Sequence, residues 1–118
     1  MDWTKPTTQM LGRFQPWHKG HTELFKRCLA KTGQVIVQVR WMPKSDSNPF
    51  NWKEASQNII DGLEAEGFKY GVEFEVMRVP NIVNITYGRD VGYKIEQETL
   101  GEEIESISAT KIREEMKK

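Results

Sequence analysis

The chain has 118 residues, of which 37% are hydrophobic and 29% charged, a composition that suits one globular domain over 1–118 and excludes a disordered chain or two independent cores. Seventeen basic and seventeen acidic side chains cancel, so no whole-protein field draws in nucleic acid or an anionic membrane. Cys28 has no second cysteine to pair with, the first residues lack a signal-peptide pattern, and no apolar run approaches the ~20 residues of a membrane span. The expectation is a soluble, cytoplasmic protein.

Residues 7–12 read as a short buried strand entering a Gly-Arg-Phe-Gln-Pro-Trp turn. From Lys19 to Lys31 the apolar residues Leu24, Phe25, Cys28 and Leu29 recur at helical spacing, and Gly33 ends the segment. Cys28 within that pattern is a small core residue. Val35, Val37 and Val39 alternate with polar neighbours over 34–41, which predicts a strand. The polar stretch Pro43–Pro49 is a loop, closed by Asn48 as a helix cap with Pro49 in the first turn. A second helix carries Trp52, Ala55, Ile59 and Leu63 on one face and is capped by Gly67. Residues 72–79 predict a third strand, 83–87 a fourth and 93–98 a weaker fifth, before a last helix over 108–118. Trp3 and Trp52 are expected to pack. The acidic run from Glu96 to Glu105 reads as a solvated connection.

Alternating strands and helices with short connections imply a parallel sheet of about five strands flanked by helices, a minimal Rossmann-like three-layer sandwich. Such sheets bind ligands beyond the carboxyl ends of their strands. Two unusual segments fall at those ends.

The first is His18-Lys19-Gly20-His21, holding the only two histidines of the chain. Three residues apart at a helix mouth, both imidazoles lie on one side. Gly20 lets backbone approach a ligand, and the helix start attracts an anion. Neutral-to-cationic donors there suit charge developing on phosphate oxygens, and Arg13 adds a bidentate donor. A metal site, ordinary surface histidines and a structural role in the turn are the alternatives. The metal reading lacks a third ligand of the usual type.

The second segment is Ser106-Ile107-Ser108-Ala109-Thr110-Lys111-Ile112-Arg113. Ser108 is a good N-cap, yet Lys111 and Arg113 occupy the positive end of the helix, where acidic residues are favoured. Either an anion binds there, or the cations pair with Glu114 and Glu115 in solvent.

Together these segments carry a resemblance. Gly12-Arg13-Phe14-Gln15-Pro16-Trp17-His18-Lys19-Gly20-His21 resembles the H-x-G-H signature of the nucleotidyltransferase superfamily, in the form closest to its nicotinamide-mononucleotide adenylyltransferase branch. Residues 106–113 are similar to its I-S-[ST]-T-x-[IL]-[RK] motif, with Ala109 replacing the commoner hydroxyl. Tyr87-Gly88-Arg89-Asp90-Val91-Gly92-Tyr93 is similar to a segment of compact phage and bacterial cytidylyltransferase-like proteins.

The resemblance implies transfer of AMP or CMP from ATP or CTP to a small phosphorylated acceptor, with release of pyrophosphate. It implies catalytic roles for His18, His21 and Arg13, and nucleotide contacts from Gly12, Phe14, Gln15, Gly20, Gly88, Arg89, Ser108, Thr110 and Arg113. Read from the residues alone, Gly88 and Arg89 fit a Gly-rich turn equally well. Lys44 is placed to reach an acceptor phosphate or to remain solvated. Trp17 and Trp41 border the expected cleft, where stacking on a base and packing are both open.

Mg2+ is expected to arrive with the triphosphate, and no metal site of the protein's own is expected. Asn48-Pro49-Phe50 resembles an N-P-F of the mononucleotide branch, but no arginine follows it here. Little chain separates Val79 from Tyr87, which leaves open an acceptor pocket completed across a homodimer. The alternative function is a non-catalytic nucleotide-binding or regulatory domain of the same fold.

Overall fold

The structure is a computed structural model that describes residues 1–46, 48–89 and 91–98. Its elements run β1 (Thr8–Gly12), α1 (Lys19–Thr32), β2 (Val35–Arg40), α2 (Trp52–Glu64) and β3 (Phe74–Val79). The strands form a parallel sheet in the order β1-β2-β3.

The valines of β2 explain the layering. Val35, Val37 and Val39 are buried, while Ile36, Gln38 and Arg40 between them are half-exposed. The register carries this alternation sideways: Val35 pairs with Thr8 and Phe74, and Val37 with Met10 and Val76. Right-handed crossovers between neighbouring parallel strands put successive helices on one face. Phe25 and Cys28 of α1 and Ile59 and Leu63 of α2 accordingly join Met10, Val35, Val37, Val39 and Phe74 in a single core. Each large side chain buried there contributes about 1.5–3 kcal/mol.

The helix ends are chemically distinct. Gly33 caps α1 in the left-handed conformation, φ 85°, as its position predicts. For α2 the N-cap is Asn51, not Asn48, and it forms a reciprocal capping box with Glu54. Asn48 is instead buried in a tight turn, exchanging backbone hydrogen bonds with Ser45 at 2.9 and 3.1 Å. The C-cap of α2 is Ala65, and Gly67, at φ 93°, follows two residues later.

Three strands and two helices make a minimal Rossmann-like α/β arrangement. Residues 83–87 and 93–98 form no strand. Val83, Ile85 and Tyr87 do alternate, but they are 83%, 56% and 47% exposed. Alternation supplies a pleated face; a strand also needs a neighbour for its backbone groups, and here none of the described strands lies alongside. Further along, Glu96 and Glu98 are held to α1 through their side chains. Glu96 and Glu98 pair with Lys31 of α1 at 3.2 and 2.6 Å, and Glu98 with Arg27 at 3.4 Å. Trp3 is also not a packing residue: it is 71% exposed and donates to Glu75 at 3.1 Å. Trp52 does pack against the core. The helix predicted over 108–118 lies outside the described residues.

Ile59 is fully buried between α2 and the sheet. Ile59→Ala is expected to lower unfolding free energy by about 2–5 kcal/mol. Urea titration should show a lower midpoint at unchanged slope.

Candidate active site

The strands β1 and β2 end at Gly12 and Arg40, and the turns that follow share the carboxyl edge of the sheet. The turn after β1 runs from Arg13 to His18 and is strongly determined by packing. Phe14 has φ 52°, a left-handed value that is uncommon for a side chain of its size. Its ring is 4% exposed and lies against Gly12. A Cβ on Gly12 would sit 2.8 Å from that ring, so glycine at 12 makes room for Phe14. Trp17 packs against α2 in the same way, since a Cβ on Gly62 would come within 2.9 Å of the indole. Its Nε1 donates to Thr22 at 2.9 Å.

This packing delivers the histidines. His18 is the N-cap of α1, and its Nδ1 accepts from the Gly20 N–H at 3.0 Å. His21 reaches back so that its Nδ1 accepts from the His18 N–H at 3.1 Å. The two side chains therefore form a reciprocal capping box, a role more often filled by Ser or Thr with Glu. Their rings stack with centroids 3.8 Å apart and 26° between planes. Phe14 meets His21 edge-on at 4.9 Å, and Trp17 lies 5.3 Å away.

The capping box has an electronic consequence. An Nδ1 that accepts a backbone N–H carries no proton, so the neutral ring holds its proton on Nε2. Burial depresses the pKa of His18, and burial followed by repulsion from His18 lowers that of His21 to about 3. Near neutral pH the site therefore offers two uncharged Nε2–H donors side by side, without a partner among the described residues. Arg13, at the start of the same turn, is half-exposed and has neither an ion-pair nor a hydrogen-bond partner among them.

The other expected site residues fall into three groups. Gly12, Phe14 and Gln15 are built into the floor: Gly12 accommodates Phe14, and buried Gln15 bonds to the backbone of Phe50. Gly20 is buried and gives its N–H to His18. Lys44 is exposed, 3.8 Å from Glu54 at the start of α2. Gly88 and Arg89 are exposed, and a Cβ on Gly88 would meet nothing within 4 Å. Ser108, Thr110 and Arg113 lie outside the described residues. Trp41 is 45% exposed at the end of β2, with the Arg78 guanidinium 5.1 Å above its ring. The clamp from Gln15 to Phe50 and the seat that Gly62 provides for Trp17 were missed in the sequence, where neither residue has a pattern pointing to its distant partner.

Residues 10–59 match the cytidylyltransferase-like family. That segment contains β1, the histidine turn, α1, β2 and the start of α2. The nicotinamide-nucleotide adenylyltransferase of Methanolobus tindarius is 33% identical over 70% of this chain and 53% of its own length. That of Methanococcus aeolicus is 29% identical over 71% and 54%. That of Pyrococcus abyssi is 26% identical over 90% and 70%. The chain is thus similar to these adenylyltransferases and spans about half the length of the first two. Among the described residues, no helix is long and apolar enough to cross a membrane. No group of three or more His, Cys, Asp or Glu stands together among them as a metal site.

The depressed histidine pKa values make stability depend on pH. In the unfolded chain both rings protonate near their ordinary value of 6.5, whereas in the folded protein His21 resists down to about 3. The unfolded state then binds more protons, so stability is complete above 6.5 and declines as pH falls towards 3. Urea midpoints across that window should show the decline, and His21→Asn should flatten it.

Proposed function

We propose that this chain is a nucleotidyltransferase that transfers AMP or CMP from ATP or CTP to a small phosphorylated acceptor. An acceptor phosphate oxygen attacks the α-phosphorus in line. The bond from the α-phosphorus to the α,β-bridging oxygen breaks, and pyrophosphate leaves with the electron pair. No covalent intermediate on the protein is needed. His18 and His21 would donate through Nε2–H to α- and β-phosphate oxygens while Arg13 balances their charge. Ser108, Thr110 and Arg113 would bind the leaving pyrophosphate. Mg2+ belongs to the substrate, whose phosphate oxygens supply most of its ligands.

The observation that carries this reading is the histidine capping box. It fixes two neutral donors in position before any substrate binds, so they need no reorganisation as charge moves onto the phosphates. It supports a division of labour in which the imidazoles act as hydrogen-bond donors and Arg13 supplies positive charge. The relatives support the adenylyl side of the reaction, since those compared above are named nicotinamide-nucleotide adenylyltransferases.

The chain covers about half of two of those relatives, which favours a second reading as a nucleotide-binding domain without turnover. Pyrophosphate release separates the two. Incubation with ATP or CTP, Mg2+ and nicotinamide mononucleotide or other phosphorylated acceptors should release pyrophosphate, and binding without release would favour the second reading.

His18→Ala and Arg13→Ala should each lower turnover by roughly a hundred-fold or more while the protein stays folded. Wild-type turnover in His18→Ala would remove the mechanism. Because the imidazoles work in the neutral form, kcat/KM should show no loss of activity between pH 6 and 8 from histidine deprotonation. A descending limb centred near 6.5 would mean that a protonated imidazole is required.

A further inference from the structure

Gln15 stands where the two turns at the carboxyl edge of the sheet meet. It is 6% exposed, and its amide matches both backbone groups of one residue in the other turn. Its Oε1 accepts from the Phe50 N–H at 2.9 Å, and its Nε2 donates to the Phe50 carbonyl at 3.0 Å. A side-chain amide used in this way replaces a neighbouring strand. The bonds span 35 positions in sequence.

The two ends of this clamp are the starts of the two helices. Gln15 is three residues before His18, the N-cap of α1, and Phe50 immediately precedes Asn51, the N-cap of α2. Each cap is reciprocal and short-range. His18 and His21 close one, and Asn51 and Glu54 close the other at 2.9 and 3.2 Å. Each helix start is therefore rigid within itself, and the spacing between them is set by contacts across the gap. Trp17 against Gly62 braces the same turn further along α2.

We propose that Gln15 is a positioning residue that fixes the separation of the two helix starts, so that the histidine turn and the 41–51 turn form one preorganised site for two anionic reactants. The identity of those reactants rests on the nucleotidyltransferase reading; the mechanical coupling does not. Gln15 acts through the backbone of Phe50 and the turn carrying His18. In-line transfer is sensitive to such spacing, because a misplacement of about 1 Å between bound groups costs roughly a hundred-fold in rate. Phe50 is only half-buried, so water can reach its backbone groups when the amide is removed, and the variant chain is expected to fold.

The test uses the whole chain with Gln15→Ala and Gln15→Glu, first without any ligand. Imidazole nitrogen shifts report which ring nitrogen carries the proton, and amide exchange reports protection at Gly20 and Phe50. In the parent protein both histidines should be Nε2–H, with both amides protected. Gln15→Ala should lose roughly ten-fold or more of the protection at Gly20 as well as at Phe50, and the histidines should populate both tautomers. Gln15→Glu distinguishes hydrogen bonding from simple space-filling. The neutral carboxylic acid can donate to the Phe50 carbonyl and accept from its N–H, whereas the carboxylate can only accept. Burial raises the pKa of a carboxyl group. Protection at Phe50 should therefore be parent-like at low pH and fall as the glutamate ionises, and Gly20 should follow it when compared with the parent protein at each pH, because the acceptor of the Gly20 N–H is the titratable His18 ring.

Parent-like tautomers and Gly20 protection in Gln15→Ala would overturn the coupling, as would a pH-independent Gln15→Glu. Pyrophosphate release is the separate arm. In an active protein, Gln15→Ala should lower kcat more than it raises KM for the triphosphate. Absence of release from the parent protein would instead count against the nucleotidyltransferase reading and leave the ligand-free result standing.

Discussion

The reciprocal hydrogen bonds between His18 and His21 are the constraint on which the site depends. The first turn of a helix leaves backbone N–H groups without partners, and here an imidazole satisfies Gly20 while the second satisfies His18. Each ring is thereby oriented by its Nδ1 and left with Nε2–H as its donor. One pair of bonds thus caps α1, sets two tautomers and holds the rings stacked at 3.8 Å. Phe14 and Trp17 pack against His21, and burial keeps both rings uncharged near neutral pH. Capping, burial and neutrality act together, because charging either ring would put a proton on the nitrogen that accepts the backbone bond.

Electrostatics at the carboxyl edge is accordingly local. The chain has no net charge, so attraction for a polyphosphate must come from oriented groups. Among the described residues these are Arg13, the imidazole donors and the start of α2, next to Lys44. The acidic side chains Glu96 and Glu98 pair with Arg27 and Lys31 in the second half of α1. Those pairs are largely exposed and contribute little to stability. They nevertheless specify where residues 96–98 run.

The sheet itself is economical. Three parallel strands and two helices on one face are enough to bury Phe25, Ile59, Leu63 and Phe74 completely. The matched family segment, 10–59, holds β1, α1, β2 and the first part of α2, together with both turns that Gln15 joins. The family segment therefore holds the histidine turn and both ends of the Gln15 clamp.

Local patterns in the sequence determined β1, α1, β2, α2 and β3 to within a few residues, because valine alternation and the Leu24-Phe25-Cys28-Leu29 stripe encode burial directly. They also determined that His18 and His21 share one side of a helix start, since their separation is a helical neighbour distance. Tertiary structure decided what depends on remote partners. Val83, Ile85 and Tyr87 have strand-like alternation yet no strand beside them, and Asn48 enters a turn with Ser45 while Asn51 caps α2. The roles of Gly12, Phe14 and Gln15 as the floor of the site likewise became visible only in three dimensions. Sequence periodicity records which face of an element is buried; which atom a side-chain amide or ring will meet depends on where the chain returns.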